Sequence, residues 1–365
     1  MNPLLALDAP SREILGRLHA DLITIDRSTQ RTKPGLARQW KASADGRAWR
    51  LELREGVRFS DGHPFSADDV EFSFAVYQDA AVRSVQFDLL RVDNQPIQVR
   101  RLDSHTVEFR LAKPYASAER LFDSVAMLPK HKLESAWRAG RLREAWTIQT
   151  EPREVVGLGP FRLKEFQPGV GVTLERNPHY WEPGRPYLDG LEFRFLPSED
   201  AQLARFAAGE LDVLTRVTRN AARYLEARQK PLTDLGPGLE YNFVCFNLSP
   251  GAAKGRWFAK REFRQALSRA VDRPGLCRVV FGGRAVPLWG HVSPGNKLWY
   301  RSDLPHPPRD LETARQLLTK AGFRWEEGRL VDAAGERVAF SLLVSASSGE
   351  RQQMAAVVQE DWKAL

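Results

Sequence analysis

The residue types that most often carry catalysis are present in this chain, but they are scattered. The histidines include no pair at positions i and i+4. The sequence has no H-E-x-x-H zinc pattern, no Walker phosphate loop, no G-x-S-x-G nucleophile elbow and no EF-hand pattern. Catalysis requires titratable groups that converge on one place, and the sequence indicates no such set. These residues give no support for an enzyme.

Single residues of these types have simpler interpretations. His63 follows Asp61-Gly62, a turn in which we expect an exposed histidine. Ser347-Ser348-Gly349 is typical of a turn that caps a helix. His291 has the strongest case for a binding role, because its loop also carries Trp289 and Trp299. The sequence leaves open whether His291 contacts a ligand or only solvent.

Two patterns that could indicate a cofactor or a metal are not supported. Gly157-Leu-Gly159 is followed by Pro160, where a dinucleotide-binding loop would open a helix. The two cysteines, Cys245 and Cys277, form no C-x-x-C motif and no cluster with histidine. Cys245 lies in an apolar run and Cys277 follows a predicted helix, so we expect two buried thiols. A single disulfide is the alternative. We predict no cofactor and no metal.

The clearest local structure is predicted for residues 44–77. Residues 49–53 alternate between apolar and charged, which predicts a strand with one buried face. A Ser-Asp-Gly turn follows at residues 60–62. Ser66 then precedes Asp69 by the spacing of a helix capping box. The apolar face of that helix is predicted at Val70, Phe74 and Tyr77.

The rest of the chain predicts further strands and helices. Apolar patterns predict strands at residues 22–25, 107–111, 161–163, 172–176, 191–195, 211–213, 240–247 and 338–344. Helices are predicted after the capping residues Ser11, Ser198 and Asp310, over residues 258–271, and at the end of the chain. Strands that alternate with helices indicate an α/β architecture.

Composition bounds the class of protein. A chain of 365 residues with 42% hydrophobic and 27% charged residues is long enough for two or three domains. No run approaches the roughly 18 apolar residues of a membrane helix, and the first residues do not resemble a signal peptide. The net charge is +8, but the basic residues are dispersed, which favours a solvated basic surface over nucleic-acid binding.

Two ordered blocks carry a family resemblance. Trp49 to Val70 reads W-x-L-x-L-R-x-G-V-x-F-S-D-G-x-P-F-S-A-D-D-V, and residues 157–181 contain G-x-G-P-F and R-N-P-H-Y-W. Both blocks resemble the family 5 extracellular solute-binding proteins, the oligopeptide- and dipeptide-binding receptors of ABC importers. The resemblance implies an α/β fold with two lobes, of the type II periplasmic-binding-protein kind, and an inserted small α+β domain.

The family plan also implies domain boundaries. Residues 1–39 and 155–239 would form lobe I, residues 40–154 the inserted small domain, and residues 240–365 lobe II, incomplete at the C-terminus. The plan has a strand before the start of this chain and a return segment after its end. We therefore expect a chain truncated at both ends.

The resemblance implies binding of a peptide or a similar small polar solute between the lobes. By family position the candidate ligand-binding residues are Tyr241, Asn242, Phe243, Trp289 and His291. The implied partners are the ligand and an ABC permease in the membrane, with no nucleic acid and a monomeric receptor. The implied location is the periplasm or the cell surface.

Three alternatives from other classes stay open at this point. The first is a cytoplasmic regulator that uses a solute-binding module. The second is an enzyme built on this scaffold, for which His291 would be the residue to mutate. The third is a non-functional truncated remnant.

Overall fold

The computed structural model describes residues 2–26, 28–123, 125–215, 217–249, 251–252, 254–346 and 348–365. The chain divides into two units, Met1–Pro197 and Ser198–Leu365, which are described separately. This division reflects only that each of the two units is compact. The assignment of residues 1–39, 40–154, 155–239 and 240–365 to lobes and an inserted domain stays a prediction.

Unit 1 consists of antiparallel sheets and a few helices. In chain order its elements are α1 (Ala9–Leu18), β1 (Ile23–Ile25), β2 (Thr32–Pro34), β3 (Ala37–Ala42), β4 (Ala48–Leu53), α2 (Ala67–Tyr77), β5 (Arg91–Val92), β6 (Gln95–Pro96), β7 (Gln98–Asp103), β8 (Thr106–Arg110), α3 (Lys130–Arg138), β9 (Phe161–Gln167), β10 (Gly171–Arg176) and β11 (Gly190–Arg194). Short 3-10 helices occupy Ala118–Phe122, Leu142–Glu144 and Pro152–Glu154. One sheet has the strand order β3-β4-β8-β7, and a second has the order β11-β10-β9.

The predicted strand–turn–helix block forms as expected and supplies much of the core of unit 1. β4 pairs with β3 and β8, and Leu51 and Leu53 are buried. The predicted apolar face of α2 is buried as well, and Phe74 packs edge-on against Phe109 of β8 with ring centroids 4.9 Å apart. The predicted period of two in the strand and the 3.6-residue period in the helix are therefore both confirmed.

The capping box at the start of α2 is also confirmed, and one of its residues, Asp69, also contacts the start of α3. The backbone N–H of Ser66 donates to Asp69 Oδ2 at 2.9 Å, and the Ser66 hydroxyl accepts from Asp68 N at 3.3 Å. Asp69 Oδ1 accepts from the backbone N–H of Lys130 at 3.1 Å. Burial raises the pKa of this carboxyl, against the lowering effect of its backbone hydrogen bonds. Asp69 thus joins the first turns of α2 and α3.

The Gly157-Leu-Gly159 segment packs against the end of α1. Gly159 N donates to the Leu18 carbonyl at 2.9 Å, and Ser60 N donates to the Gly157 carbonyl at 2.9 Å. A Cβ at Gly157 or Gly159 would overlap the backbone of Leu18. The glycines are therefore needed for close backbone approach, which agrees with the rejection of a dinucleotide loop.

The cap predicted for α1 was wrong by one turn. Ser11 lies inside the helix, and its backbone N–H donates to the carboxylate of Asp8, the actual N-cap, at 2.8 Å. Both residue types are good caps. Pro10 at the start of the helix favours the earlier boundary, because proline suits the first turn.

Unit 2 is mainly helical in the part of the chain that is described. Its elements are α4 (Glu199–Ala207), α5 (Arg219–Glu226), α6 (Gly255–Phe258), α7 (Arg261–Ala270), α8 (Arg273–Phe281), α9 (Leu311–Lys320), β12 (Arg324–Glu326), β13 (Arg329–Val331) and α10 (Gly349–Lys363). Its core is centred on the buried rings of Trp257, Phe263 and Phe323. The Trp257 indole N–H donates to the Asp332 carboxylate at 2.9 Å, so the buried polar atom is paired.

Three strands predicted in unit 2 do not form. Residues 211–213, 240–247 and 338–344 have irregular backbone without ladder pairing, apart from an isolated bridge between Val331 and Arg337 just before the last of them. A strand needs a neighbour that completes its backbone hydrogen bonds. Within the described residues, β13 begins such a pairing at one point only, where Val338 N donates to the Leu330 carbonyl at 2.8 Å, and no ladder continues from it. Apolar alternation alone therefore predicted strands that do not form.

The prediction of two buried thiols is wrong for Cys245, which is exposed in the irregular run of residues 240–247. Cys277 is buried, as predicted, and it follows the predicted helix, since it lies in α8 directly after α7. Both cysteines are free. Burial raises the pKa of the Cys277 thiol, which makes it a poor nucleophile.

Other predictions in unit 2 are confirmed. Ser198 and Asp310 cap α4 and α9, and Ser348 caps α10. Ser347, which belongs to the same predicted turn, lies outside the described residues. None of the helices in the described ranges combines the length and the apolar character of a membrane span.

Candidate functional site

The segment around Tyr241 presents aromatic side chains to solvent. Tyr241 and Phe243 are 39% and 73% exposed, and their ring centroids lie 5.7 Å apart at an interplanar angle of 42°. Phe243 therefore leaves most of its ring in solvent, whereas Tyr241 leaves a smaller part of its side chain there.

Asn242 anchors the same segment to the start of α10. Its Oδ1 accepts a hydrogen bond from Arg351 Nε at 3.3 Å. Among the described residues, the backbone groups of residues 241–244 have no hydrogen-bond partner. The segment is therefore held by a side chain, while its own backbone donors and acceptors remain available.

Trp289 is fixed in its loop by two contacts. Its indole N–H donates to the Pro307 carbonyl at 3.2 Å, and its ring stacks on His306 with centroids 4.2 Å apart. The half-buried indole also lines a cavity of about 240 Å³ in unit 2. Trp289 is thus positioned beside a space that a small molecule can enter.

His291 is exposed, two residues further along the loop. The structure assigns it no hydrogen bond, ion pair or ring contact within the described part of the chain. It lies apart from the cavity that Trp289 lines. The geometry gives His291 no oriented role.

The Trp289 loop and the Tyr241 segment meet at their ends. The Ser293 hydroxyl donates to the Gly238 carbonyl, and Gly295 lies so close to residues 237–238 that a Cβ would overlap their carbonyl oxygens. The structure therefore brings the two predicted stretches together through backbone contacts. It does not gather the five predicted side chains around one cavity.

The cavity beside Trp289 is lined by basic residues that the sequence interpretation did not single out. Arg269 and Arg273 line it, together with Gln265, Ser268, Pro307, Thr313 and Leu317. Most of these residues lie in α7, at the start of α8 and in α9, and Pro307 lies in the segment before α9. The sequence places Ser268 and Arg269 five and four residues before Arg273, which could have indicated an anion-binding group. Only the fold shows that these residues lie against Trp289.

A second cavity, of about 280 Å³, lies in unit 1. It is lined by Arg38, Arg54, Glu55, Gly56, Val57 and Trp181. The Arg54 guanidinium lies 4.4 Å from the centroid of the Trp181 ring, and its Nε donates to the Gly35 carbonyl at 2.7 Å. This contact joins the two sequence blocks of the resemblance.

His63 belongs to a small cluster in its turn. Its ring stacks on His131 at 3.8 Å, and His131 Nε2 lies 2.7 Å from Asp61 Oδ2. Burial opposes ionisation of Asp61, but its hydrogen bonds with His131 and with the backbone of His63 leave its pKa lowered. Within the described residues, no group of three histidine, cysteine or acidic side chains is arranged to hold a metal ion.

Comparison with known proteins identifies the family. Residues 31–365 match the family described as bacterial extracellular solute-binding proteins, family 5. The chain belongs to this family.

Named relatives of this family 5 protein include receptors for peptides. It is 28% identical to a probable ABC transporter-binding protein of Deinococcus radiodurans, in an alignment that covers 100% of this chain and 64% of that protein. It is 29% identical to the oligopeptide-binding protein AppA of Bacillus subtilis, covering 100% and 65%. It is 26% identical to the dipeptide-binding protein of Escherichia coli, covering 94% and 64%. The chain thus spans less than two thirds of the length of these relatives.

Solved structures give the same fold. The oligopeptide-binding protein AppA of Bacillus subtilis, in complex with a nonapeptide, superposes with a TM-score of 0.76 at 26% identity, covering 100% of this chain and 70% of that one. NikA of Brucella suis, in complex with Fe(III)-EDTA, superposes with a TM-score of 0.76 at 21% identity, covering 100% and 70%. The family 5 protein therefore has the fold of the type II periplasmic binding proteins, as the sequence resemblance predicts.

Proposed function

We propose that this family 5 protein is the substrate-binding component of an ABC importer and that it binds a peptide or a similar small polar solute. Family membership is the strongest support. The named relatives include an oligopeptide-binding and a dipeptide-binding protein. In this proposal residues 1–39 and 155–239 belong to one lobe, residues 40–154 to an inserted domain and residues 240–365 to the other lobe. The solute is held between the lobes, which close on it by a hinge motion.

The observation that carries the proposal is the exposed segment at residues 241–244. Its backbone groups have no partner within the described residues, and two aromatic rings flank Asn242. An extended peptide can satisfy such backbone groups while aromatic side chains cover its apolar parts. Tyr241, Asn242 and Phe243 are therefore the proposed solute contacts, with Trp289 and His291 as further candidates on the neighbouring loop.

The proposal includes a location and partners. The family is described as extracellular, so we assign the protein to the periplasm or the cell surface, where it delivers solute to a membrane permease. We also propose that it acts as a monomer, without nucleic acid and without catalysis. Its scattered basic residues favour the absence of nucleic-acid binding, and the sequence indicates no convergent set of titratable groups for catalysis.

A thermal-shift screen of the 365-residue chain tests the function. The panel comprises di-, tri- and oligopeptides, sugars and metal chelates. A solute that binds only the folded state stabilises it by about 2.7 kcal/mol at a hundredfold excess over its Kd. We expect peptides to raise the midpoint and sugars to leave it unchanged. If only sugars or only metal chelates raise the midpoint, the peptide proposal is wrong and the solute belongs to that other class.

A further inference from the structure

The cavity beside Trp289 has a one-sided charge. Its lining carries two guanidinium groups, from Arg269 and Arg273, and no acidic side chain. Its volume of about 240 Å³ far exceeds the roughly 10–15 Å³ that one water molecule requires. The space therefore suits an organic molecule that carries negative charge.

Arg273 is the charge that most lacks a counter-ion. Its guanidinium donates to the Ser268 carbonyl at 2.9 Å and to the Ser268 hydroxyl at 2.8 Å. Within the described residues it forms no ion pair, and burial alone lowers its pKa. A guanidinium has five N–H donors, so several remain for a ligand. A partly buried charge of this kind is stabilised when an anion pairs with it.

The nearby carboxylates are committed elsewhere. Asp272 caps α8 by accepting from Gly275 N at 2.9 Å, and Asp310 caps α9 by accepting from Thr313 N at 2.9 Å. Asp361 lies 3.1 Å from Arg309 and accepts from the backbone N–H of Asp272 at 3.0 Å. Each of these carboxylates thus has a structural partner other than Arg273.

The rest of the lining combines apolar groups (Trp289, Pro307 and Leu317) with the polar side chains of Gln265, Ser268 and Thr313. The Trp289 indole is held in place by Pro307 and His306, and Leu317 of α9 completes the lining. A rigid aromatic wall next to a guanidinium favours a carboxylate attached to a carbon skeleton over inorganic phosphate, because the skeleton buries apolar surface.

We propose that this cavity is a binding site for a small organic carboxylate, with the carboxylate on Arg273 and the carbon skeleton against Trp289. The site lies within unit 2 and requires neither Tyr241 nor Phe243, but it shares Trp289 with the proposed solute contacts. It adds an anion-binding role for Arg273 that the proposed function does not include. The carboxylate belongs either to a free organic acid or to the acidic group of a bound solute.

Fluorine NMR with 4-fluorobenzoate as the probe tests the site. The neutral isostere 4-fluorobenzamide and inorganic phosphate serve as the comparison ligands. We expect 4-fluorobenzoate to bind and 4-fluorobenzamide to bind about tenfold more weakly, since the charged pair is lost. We expect phosphate to compete poorly. Equal binding of the acid and the amide, or no binding of the acid, would overturn the proposal.

Three variants locate the binding. Arg273→Gln should weaken 4-fluorobenzoate binding by about tenfold or more, and Arg273→Lys should retain part of it. Arg278→Gln is the matched control, because it removes the same charge from an exposed side chain of the same helix. A melting curve identifies any loss of fold in Arg273→Gln. If Arg278→Gln weakens binding as much as Arg273→Gln in folded protein, the site is not this cavity.

Competition with a peptide found in the solute screen separates the two sources of the carboxylate. If the peptide displaces 4-fluorobenzoate, Arg273 recognises an acidic group of the solute itself. If both bind together, the site takes a separate organic acid. Because the probe binds without a peptide in either case, failure of the peptide proposal does not affect this test.

Discussion

His19 is a buried side chain with a direct consequence for pH dependence. Its ring is 5% exposed, stacks on Trp146 with centroids 5.6 Å apart, and has no hydrogen-bond partner for either nitrogen in the described structure. Burial lowers its pKa from 6.5 to about 3. The folded protein therefore holds His19 neutral at pH values where an unfolded chain would protonate it.

We predict that the free energy of unfolding falls as the pH is lowered below 6.5, partly because of His19. Between the two pKa values the unfolded chain binds more protons than the folded one, so stability rises with pH in that window. At about pH 5 the His19 contribution should be about 2 kcal/mol lower than at about pH 7.5. Urea unfolding of the wild type and of His19→Phe at both pH values measures the difference.

His19→Phe keeps a ring beside Trp146 but removes the titration, so it should lose less stability on acidification than the wild type. His291→Phe is the comparison variant, because it replaces an exposed histidine by the same residue and leaves the buried ring beside Trp146 in place. Parallel pH profiles for wild type and His19→Phe would show that the unpaired imidazole is not responsible.

At the scale of elements, sequence patterns worked where local chemistry decides the structure. The capping box of Ser66 and Asp69 and the apolar period of α2 predicted that helix correctly. The same reasoning failed at residues 240–247, where the apolar pattern is that of a strand but no described segment pairs with it. Local spacing carries the information for a helix, whereas a strand depends on a distant partner.

Packing of the residue 157–159 loop against α1 gives an element-scale prediction. A Cβ at Gly157 would overlap the Leu18 carbonyl oxygen and lie 3.0 Å from His19 Nδ1. Gly157→Ala should therefore lower the free energy of unfolding by about 1–3 kcal/mol through overpacking. Urea or thermal unfolding measures this change.

Gly16→Ala is the matched control for that substitution. Gly16 lies in α1 with no atom near its added Cβ, so alanine should leave stability unchanged or raise it by up to about 1 kcal/mol. If Gly157→Ala proved as stable as Gly16→Ala, the loop would have to be less tightly packed than the structure indicates.

For the whole molecule, the resemblance carried by two sequence blocks predicted the family and the fold correctly. The five candidate ligand-binding residues stay a prediction. Tyr241, Phe243 and His291 are exposed, and Trp289 lines a cavity. The sequence did not predict that Arg269 and Arg273 line this cavity, because their positions depend on how α7, α8, α9 and the Trp289 loop pack.

The central claim is that the exposed segment at residues 241–243 binds a peptide solute. Isothermal titration calorimetry of a peptide from the screen, with the wild type and the double variant Tyr241→Ala/Phe243→Ala, tests it most directly. We predict that the double variant raises the Kd by about tenfold or more, a loss of about 1.4 kcal/mol. Tyr187→Ala, which removes an exposed ring in unit 1, should bind as the wild type does. Unchanged peptide affinity in the double variant would contradict the account.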